Sequence, residues 1–156
     1  MPSARPTAER HTGDCHHRDM IDPASVVARY YAVVADLEAR ADDLLALLHP
    51  DVRVTEHPNA ITPRGAIRDR EGVLAGYAAG KALLSAQSFE VHEVLVAGDR
   101  VAVRATWRGT TARAAGPLAA GAELIAHIAA LLTVADGQVL EHETFDCYEP
   151  LPVNSD

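Results

Sequence analysis

Near the C-terminal end of the chain lie four residues of types that can move protons: His127, His142, Thr144 and Asp146. They fall in a stretch that reads as two strands, Glu123 to Ala135 and Gln138 to Tyr148. Asp136-Gly137, a pair that favours a two-residue type I′ turn, joins them. A tight turn sets Ala135 opposite Gln138, Leu131 opposite His142, Ala129 opposite Thr144 and His127 opposite Asp146. Side-chain alternation then collects His127, His142, Thr144 and Asp146 on one face, among alanines and leucines. In such a pair the carboxylate orients the imidazole and supports its cation, while the second ring nitrogen exchanges a proton with a substrate. The plainer alternative is a pair that satisfies itself inside the fold. His142, with Leu131 across the hairpin, fits a hydrogen-bonded core position equally well.

Other candidates lie upstream. His57 precedes Pro58 at the end of a short alternating strand, Asp51 to His57, where pocket mouths often lie; the alternative is a half-exposed turn residue. Glu56 is expected to point to the opposite face, into solvent. Tyr30 sits on an apolar helix stripe, so it is either core or catalyst. If buried, its hydroxyl needs a partner such as a pocket histidine or a substrate carbonyl. Tyr31 is expected to face elsewhere. Arg104, Thr106 and Arg108 share one strand face, and Val101, Val103, Ala105 and Trp107 the other. Periodicity puts the apolar set inward; an inward Arg104 would bind an anion or enolate, an outward one would be a surface charge. There is no phosphate-binding glycine loop, nucleophile elbow or two-histidine metal motif. Neither a cofactor nor a metal is expected.

The elements that must position these residues can be read in outline. Asp22 and Pro23 make a helix start, followed by Val26, Val27, Tyr30, Val33, Val34 and Leu37 at helical spacing. A short helix from Asp42 to Leu48 stops at His49-Pro50. Pro58 to Gly65 reads as a loop. A third helix spans about Arg70 to Ser85 and carries Gly72, Gly76 and Gly80 on one face. Three such glycines cost about 1 kcal/mol each relative to alanine. They imply either close approach of another element or a helix that flexes to admit a ligand. Phe89 to Ala97 and Arg100 to Gly109 form a hairpin closed by Gly98-Asp99, and Thr110 to Gly121 is a loop. Helices first and long antiparallel strands after is the α+β pattern, with a curved sheet wrapped around a helix to make a cone with a pocket.

With 156 residues the chain is long enough for one domain with a real core, drawn from a 48% hydrophobic content. We expect tails at residues 1–20 and 151–156 around a domain at 21–150. The first tail contains His11, Cys15, His16 and His17 but offers no defined metal geometry. A net charge of −8 argues against nucleic acid and acidic membrane as partners. No apolar run is long enough to span a bilayer, and the N-terminus lacks the apolar core of a secretory signal. Cys15 and Cys147, the two cysteines, have no paired-ligand spacing, so free thiols in a cytoplasmic protein are expected.

Four short segments occur in a recognisable order: Val26-Val27-Ala28-Arg29-Tyr30, Leu47-Leu48-His49-Pro50-Asp51-Val52, Gly98-Asp99-Arg100-Val101-Ala102-Val103 and Asp136-Gly137-Gln138-Val139. Together they resemble the nuclear-transport-factor-2-like superfamily, in particular its SnoaL-like polyketide cyclase branch, over about Ile21 to Tyr148. The resemblance implies a cone-shaped curved antiparallel sheet wrapped around helices, and a homodimer formed through the outer sheet face. Tyr30 falls where ketosteroid isomerases place an oxyanion-stabilising tyrosine, and His57 where they place their aspartate base. Their second oxyanion donor would fall on Ala129 and is missing. Their pattern would also turn Arg104 inward and Trp107 outward, against the periodicity. Limonene epoxide hydrolase needs an arginine and an acid on the strand that here reads His127 to Leu132, and neither is present. SnoaL-like cyclases carry a histidine and an acid on the last two strands. His127 matches the histidine, while the acid position falls near His142 to Thr144, with Asp146 further on.

The expectation is therefore a cofactor-independent cyclase, isomerase or dehydratase that moves a proton beside the carbonyl of a small hydrophobic, polyketide-like molecule. Catalytic candidates are His57, His127, Asp146 and Tyr30. His142, Thr144, Trp107, Arg104 and Leu131 are the candidates for substrate binding. The alternative is a binding or dimerisation module of the same fold without catalysis.

Overall fold

The computed structural model describes residues 21–153. Its elements are α1 (Pro23–Ala35), α2 (Ala41–Leu45), β1 (Leu48–Glu56), β2 (Ala66–Arg68), α3 (Arg70–Leu83), β3 (Leu84–Ala97), β4 (Arg100–Thr111), β5 (Glu123–Ala135) and β6 (Gln138–Tyr148). One six-stranded sheet runs in the order β2-β1-β6-β5-β4-β3. Strands β3 to β6 form an antiparallel meander. The sheet is mixed rather than wholly antiparallel, because β1 joins β6 in parallel while β2 pairs antiparallel with β1. It curves without closing. α1 packs against β3 to β6, and α3 packs against β1, β2 and β3. Residues 1–20 and 154–156, expected as tails, lie outside the described residues; Val153 forms an isolated bridge with Leu118. Among the described residues no helix is long and apolar enough to cross a membrane.

Local chemistry sets the helix starts. The Asp22 carboxylate accepts from the Ala24 amide, and Pro23 occupies the first turn. Asp69 likewise accepts from the Gly72 amide at the start of α3. α1 buries Val26, Val27, Tyr30 and also Tyr31, which was expected to face away. The second helix is shorter than expected. Leu48 already belongs to β1, whose pairing with β6 is irregular between Leu48 and Arg53, the stretch that contains Pro50. β2 was not foreseen, since three residues show no readable period. β3 begins directly after α3, five residues earlier than its apolar alternation indicates.

The core is the concave face: Val101, Val103 and Ala105 of β4, Ala126, Ile128, Ala130, Leu132 and Val134 of β5, and the buried residues of α1 and α2. Register decides which polar groups join it. The Asp136-Gly137 turn has positive φ at both residues, 53° and 71°, as a type I′ turn requires, and Ala135 faces Gln138. Two residues further on the pairing shifts: Val134 faces Val139, but Thr133 faces Glu141, leaving Leu140 as the extra residue of a β-bulge. His142 therefore faces Leu132, Thr144 faces Ala130 and Asp146 faces Ile128, while His127 faces Cys147. The expected pairing of His127 with Asp146 is thereby undone, because a one-residue slip exchanges the two faces.

Candidate active site

On the concave side, between the sheet, α1 and α3, lies a cavity of about 380 Å³. Its polar lining comes from Tyr30 (α1), Glu56 (β1), Arg68 (β2), Tyr77 and Lys81 (α3), Gln87 (β3), and Thr144, Asp146 and Tyr148 (β6). The walls include Val34, Val54, Val73 and Trp107. That size and apolar character fit a small-molecule site. Part of its space comes from the glycine stripe of α3. A β-carbon on Gly72 would come within 3.2 Å of Arg68, a true close approach. Gly76 and Gly80 instead line the cavity, and a β-carbon on Gly80 would meet nothing within 4 Å.

Two carboxyl groups face this cavity in opposite electrostatic settings. Burial opposes the charge on Glu56, but hydrogen bonds from Asn59, Arg68 and Thr62, together with the Arg68 cation, outweigh it and hold the carboxyl below its ordinary range. Arg68 Nη1 donates to Glu56 Oε2 at 2.8 Å and Asn59 Nδ2 to Oε1 at 2.9 Å. Asp146 moves the other way. Burial raises its pKa, the Thr144 hydroxyl, donating at 2.6 Å, works against that rise, and the Glu56 charge adds to it. Burial also pushes the Tyr148 hydroxyl up, helped by the Asp146 and Glu56 charges.

Behind this wall, Tyr30 Oη lies 3.1 Å from His142 Nδ1. Burial lowers the His142 pKa to about 4, so the ring is neutral near pH 7, and burial raises Tyr30. Trp107 is held by donation from Nε1 to Gln87 Oε1 at 3.0 Å, and Gln87 Nε2 donates to the Val34 carbonyl at 2.7 Å. The indole lies over Gly109, where a β-carbon would come within 2.4 Å of it. It also meets Tyr148 edge-on, with ring centroids 6.1 Å apart.

Tyr30, His142, Thr144, Asp146 and Trp107 thus meet on the concave side. The remaining sequence candidates lie on the convex face or its rim. His57 Nε2 donates to Glu143 Oε1 at 2.7 Å, and its ring stacks on Phe145 at 4.2 Å. His127 Nε2 donates to Glu149 Oε1 at 3.0 Å. Arg104 pairs with Glu93 at 3.5 Å, and Leu131 is exposed. The expectation for Glu56 and His57 was inverted. Val52, Val54 and Glu56 share one parity of β1, so the buried valines carry Glu56 inward and leave His57 outside. That parity was readable, as was the unbroken apolar series Leu124, Ala126, Ile128, Ala130, Leu132 and Val134, which turns His127 outward. Arg68 had no such signal, since β2 is too short to read. Among the described residues no three His, Cys, Asp or Glu side chains converge as a metal site would need.

A curved, open, mixed sheet wrapped over helices, with polar groups gathered inside it, is the α+β cone of the nuclear-transport-factor-2-like type. Residues 27–142 match the SnoaL-like domain family, and the chain belongs to that family. The chain is similar to IdmH, a putative polyketide cyclase from Streptomyces antibioticus, at 26% identity over 80% of this chain and 91% of that one, with a TM-score of 0.67. A putative SnoaL-like polyketide cyclase from Jannaschia sp. CCS1 shares 24% identity, covering 80% and 84% of the two chains, with a TM-score of 0.65. AclR, a putative hydroxylase from Streptomyces galilaeus, shares the fold at 18% identity, with 80% and 87% covered and a TM-score of 0.63. No curated protein matches the sequence.

Proposed function

We propose that the protein is a cofactor-independent acid–base enzyme acting on a small hydrophobic carbonyl compound of polyketide type. The observation that carries this reading is one apolar cavity holding two carboxyl groups whose surroundings push their proton affinities apart. Asp146, made more basic by burial, takes a proton from the carbon beside the carbonyl, and the bonding electrons pass into an enolate. The Tyr30 hydroxyl donates to the enolate oxygen, with His142 Nδ1–H donating to the tyrosine oxygen from behind. The enolate carbon then bonds to a second carbonyl carbon of the same molecule, and Asp146 returns the proton to the new alkoxide. Proton return to a different carbon gives isomerisation instead. Glu56 stays ionised against Arg68, and its charge keeps the Asp146 carboxyl basic. The likeness to IdmH, itself a putative polyketide cyclase, supports the substrate class.

Deuterium exchange into 2-tetralone, followed by NMR, tests the proton step without knowledge of the natural substrate. The wild type should speed exchange at the carbon beside the carbonyl well beyond buffer. Asp146→Asn should lose 100-fold or more of that acceleration, whereas His127→Ala should retain it. Exchange no faster than buffer, or unchanged by Asp146→Asn, would remove the enzyme reading and leave a binding module.

A second copy of the chain fits the convex face. Phe145 and Leu131 each expose 41% of their surface there, between the hydrogen-bonded pairs His57–Glu143 and His127–Glu149.

A further inference from the structure

The cavity continues beyond the cluster just described. Behind Tyr30, Thr144 and Asp146, which line it on one side, lies a smaller space of about 120 Å³ that also touches Tyr31, Phe89 and His142. Tyr31 and Phe89 in turn line a third space, an open groove of about 530 Å³ between α1 and the edge strand β3. Its walls are apolar, including Ala28, Ala32, Val91 and Val94, and its polar groups, Asp22 and Ser25, come from the start of α1. The partition between the small space and the groove is one aromatic pair, Tyr31 and Phe89, edge to face with centroids 5.1 Å apart. Two buried polar atoms at the small space, the Tyr31 hydroxyl and His142 Nε2, have no hydrogen-bond partner among the described residues. Burial without a partner is costly, so a polar ligand group there has a ready place.

We propose that the three spaces form one channel through the cone, and that its ligand is elongated. The reacting carbonyl end occupies the main cavity, a hydroxyl sits in the neck beside Tyr31 and His142, and an apolar arm lies in the groove against α1 and β3. A hydroxyl suits the neck because it both donates and accepts: with Nδ1–H turned to Tyr30, His142 Nε2 accepts from it, and the Tyr31 hydroxyl donates to it. Phe89 turns aside to admit the arm, so the groove selects for ligand length. This inference rests on the main cavity being the reaction site and adds the substrate's shape.

Environment-sensitive 6-acyl-2-dimethylaminonaphthalenes, titrated into the wild-type chain and followed by emission, read the channel directly. The octanoyl probe should bind at least 10-fold tighter than the propionyl probe, and the propionyl probe should displace it. Ala32→Trp and, separately, Ala28→Trp place an indole in the groove from exposed helix positions. Each should reduce octanoyl affinity to the propionyl level and leave propionyl affinity unchanged. A 3-hydroxyoctanoyl probe should bind tighter still, an advantage lost in Tyr31→Phe. A chain-length advantage that survives both tryptophans, or an octanoyl probe that the propionyl probe fails to displace, overturns the channel. A hydroxyl effect indifferent to Tyr31→Phe overturns the assignment of the neck. Failure of both probes to bind overturns the cavity reading as well, whereas propionyl binding without any octanoyl advantage overturns this inference alone.

Discussion

At the scale of single residues, the chemistry here depends less on which ionisable groups are present than on where desolvation acts. His142 shows this. Its ring is held neutral, with a pKa lowered from 6.5 to about 4 by burial. The folded state therefore binds fewer protons than the unfolded chain between those values. Stability contributed by the neutral ring is complete above pH 6.5 and drains away as pH falls towards 4, by on the order of 2–3 kcal/mol. Denaturant titrations at pH 7 and pH 4.5 should show this slope, and His142→Gln should flatten it. Asp146 has the opposite sign. Its raised pKa means that the folded state holds a proton more tightly, so this group lowers stability as pH rises through the window between the ordinary and raised values. Asp146→Asn should remove that loss while abolishing turnover, giving a variant as stable as the wild type near neutral pH or more so. A clear fall in melting temperature would mean that the carboxylate is structural.

At the scale of elements, small residues and one inserted residue shape the site. Gly109 gives the Trp107 indole its seat. Gly109→Ala should push the ring off and break its bond to Gln87, at a cost of about 1–3 kcal/mol. Trp107 is the one tryptophan in the chain, so a red-shifted emission spectrum reports the displacement. Gly80 is the contrasting case, because a side chain there enters open cavity. Gly80→Leu should raise helix propensity by nearly 1 kcal/mol while filling the site. The expected result is an equal or higher melting temperature together with loss of 2-tetralone exchange. The bulge at Leu140 matters most. It turns His142, Thr144 and Asp146 inward and sends Glu141, Glu143 and Phe145 to the convex side. Without it the same strand would aim the imidazole, hydroxyl and carboxyl of these three residues at water and bury Glu141, Glu143 and Phe145 instead.

At the scale of the whole molecule, the cone has two faces of different character. The concave one is a cavity, and the convex one carries exposed Phe145 and Leu131 among paired histidines and acids. If two copies meet there, Phe145→Glu should shift sedimentation from dimer to monomer with the fold intact by circular dichroism. A wild type that sediments as a monomer at tens of micromolar removes the dimer. The His57–Glu143 and His127–Glu149 pairs belong to this surface, and substitutions in them should alter association before they alter proton exchange.

Much of the fold was legible before any coordinates. Asp22-Pro23 starts α1, Asp136-Gly137 closes the last hairpin and the apolar alternation of β5 marks a half-buried strand, because caps, turns and period are local properties of a few neighbouring residues. The same local rules put Trp107 inward and, read strictly, turned Glu56 inward and His127 outward. What only the tertiary structure decided was the company each side chain keeps. β6 must pair with β5 on one edge and with β1 on the other, and the sheet absorbs the resulting curvature by an extra residue at Leu140. That bulge costs little locally and leaves no mark in the pattern of residue types, yet it exchanges the faces of every residue beyond it. Arg68 reaches Glu56 only because a three-residue edge strand lies beside β1, a contact between segments that no sequence period records.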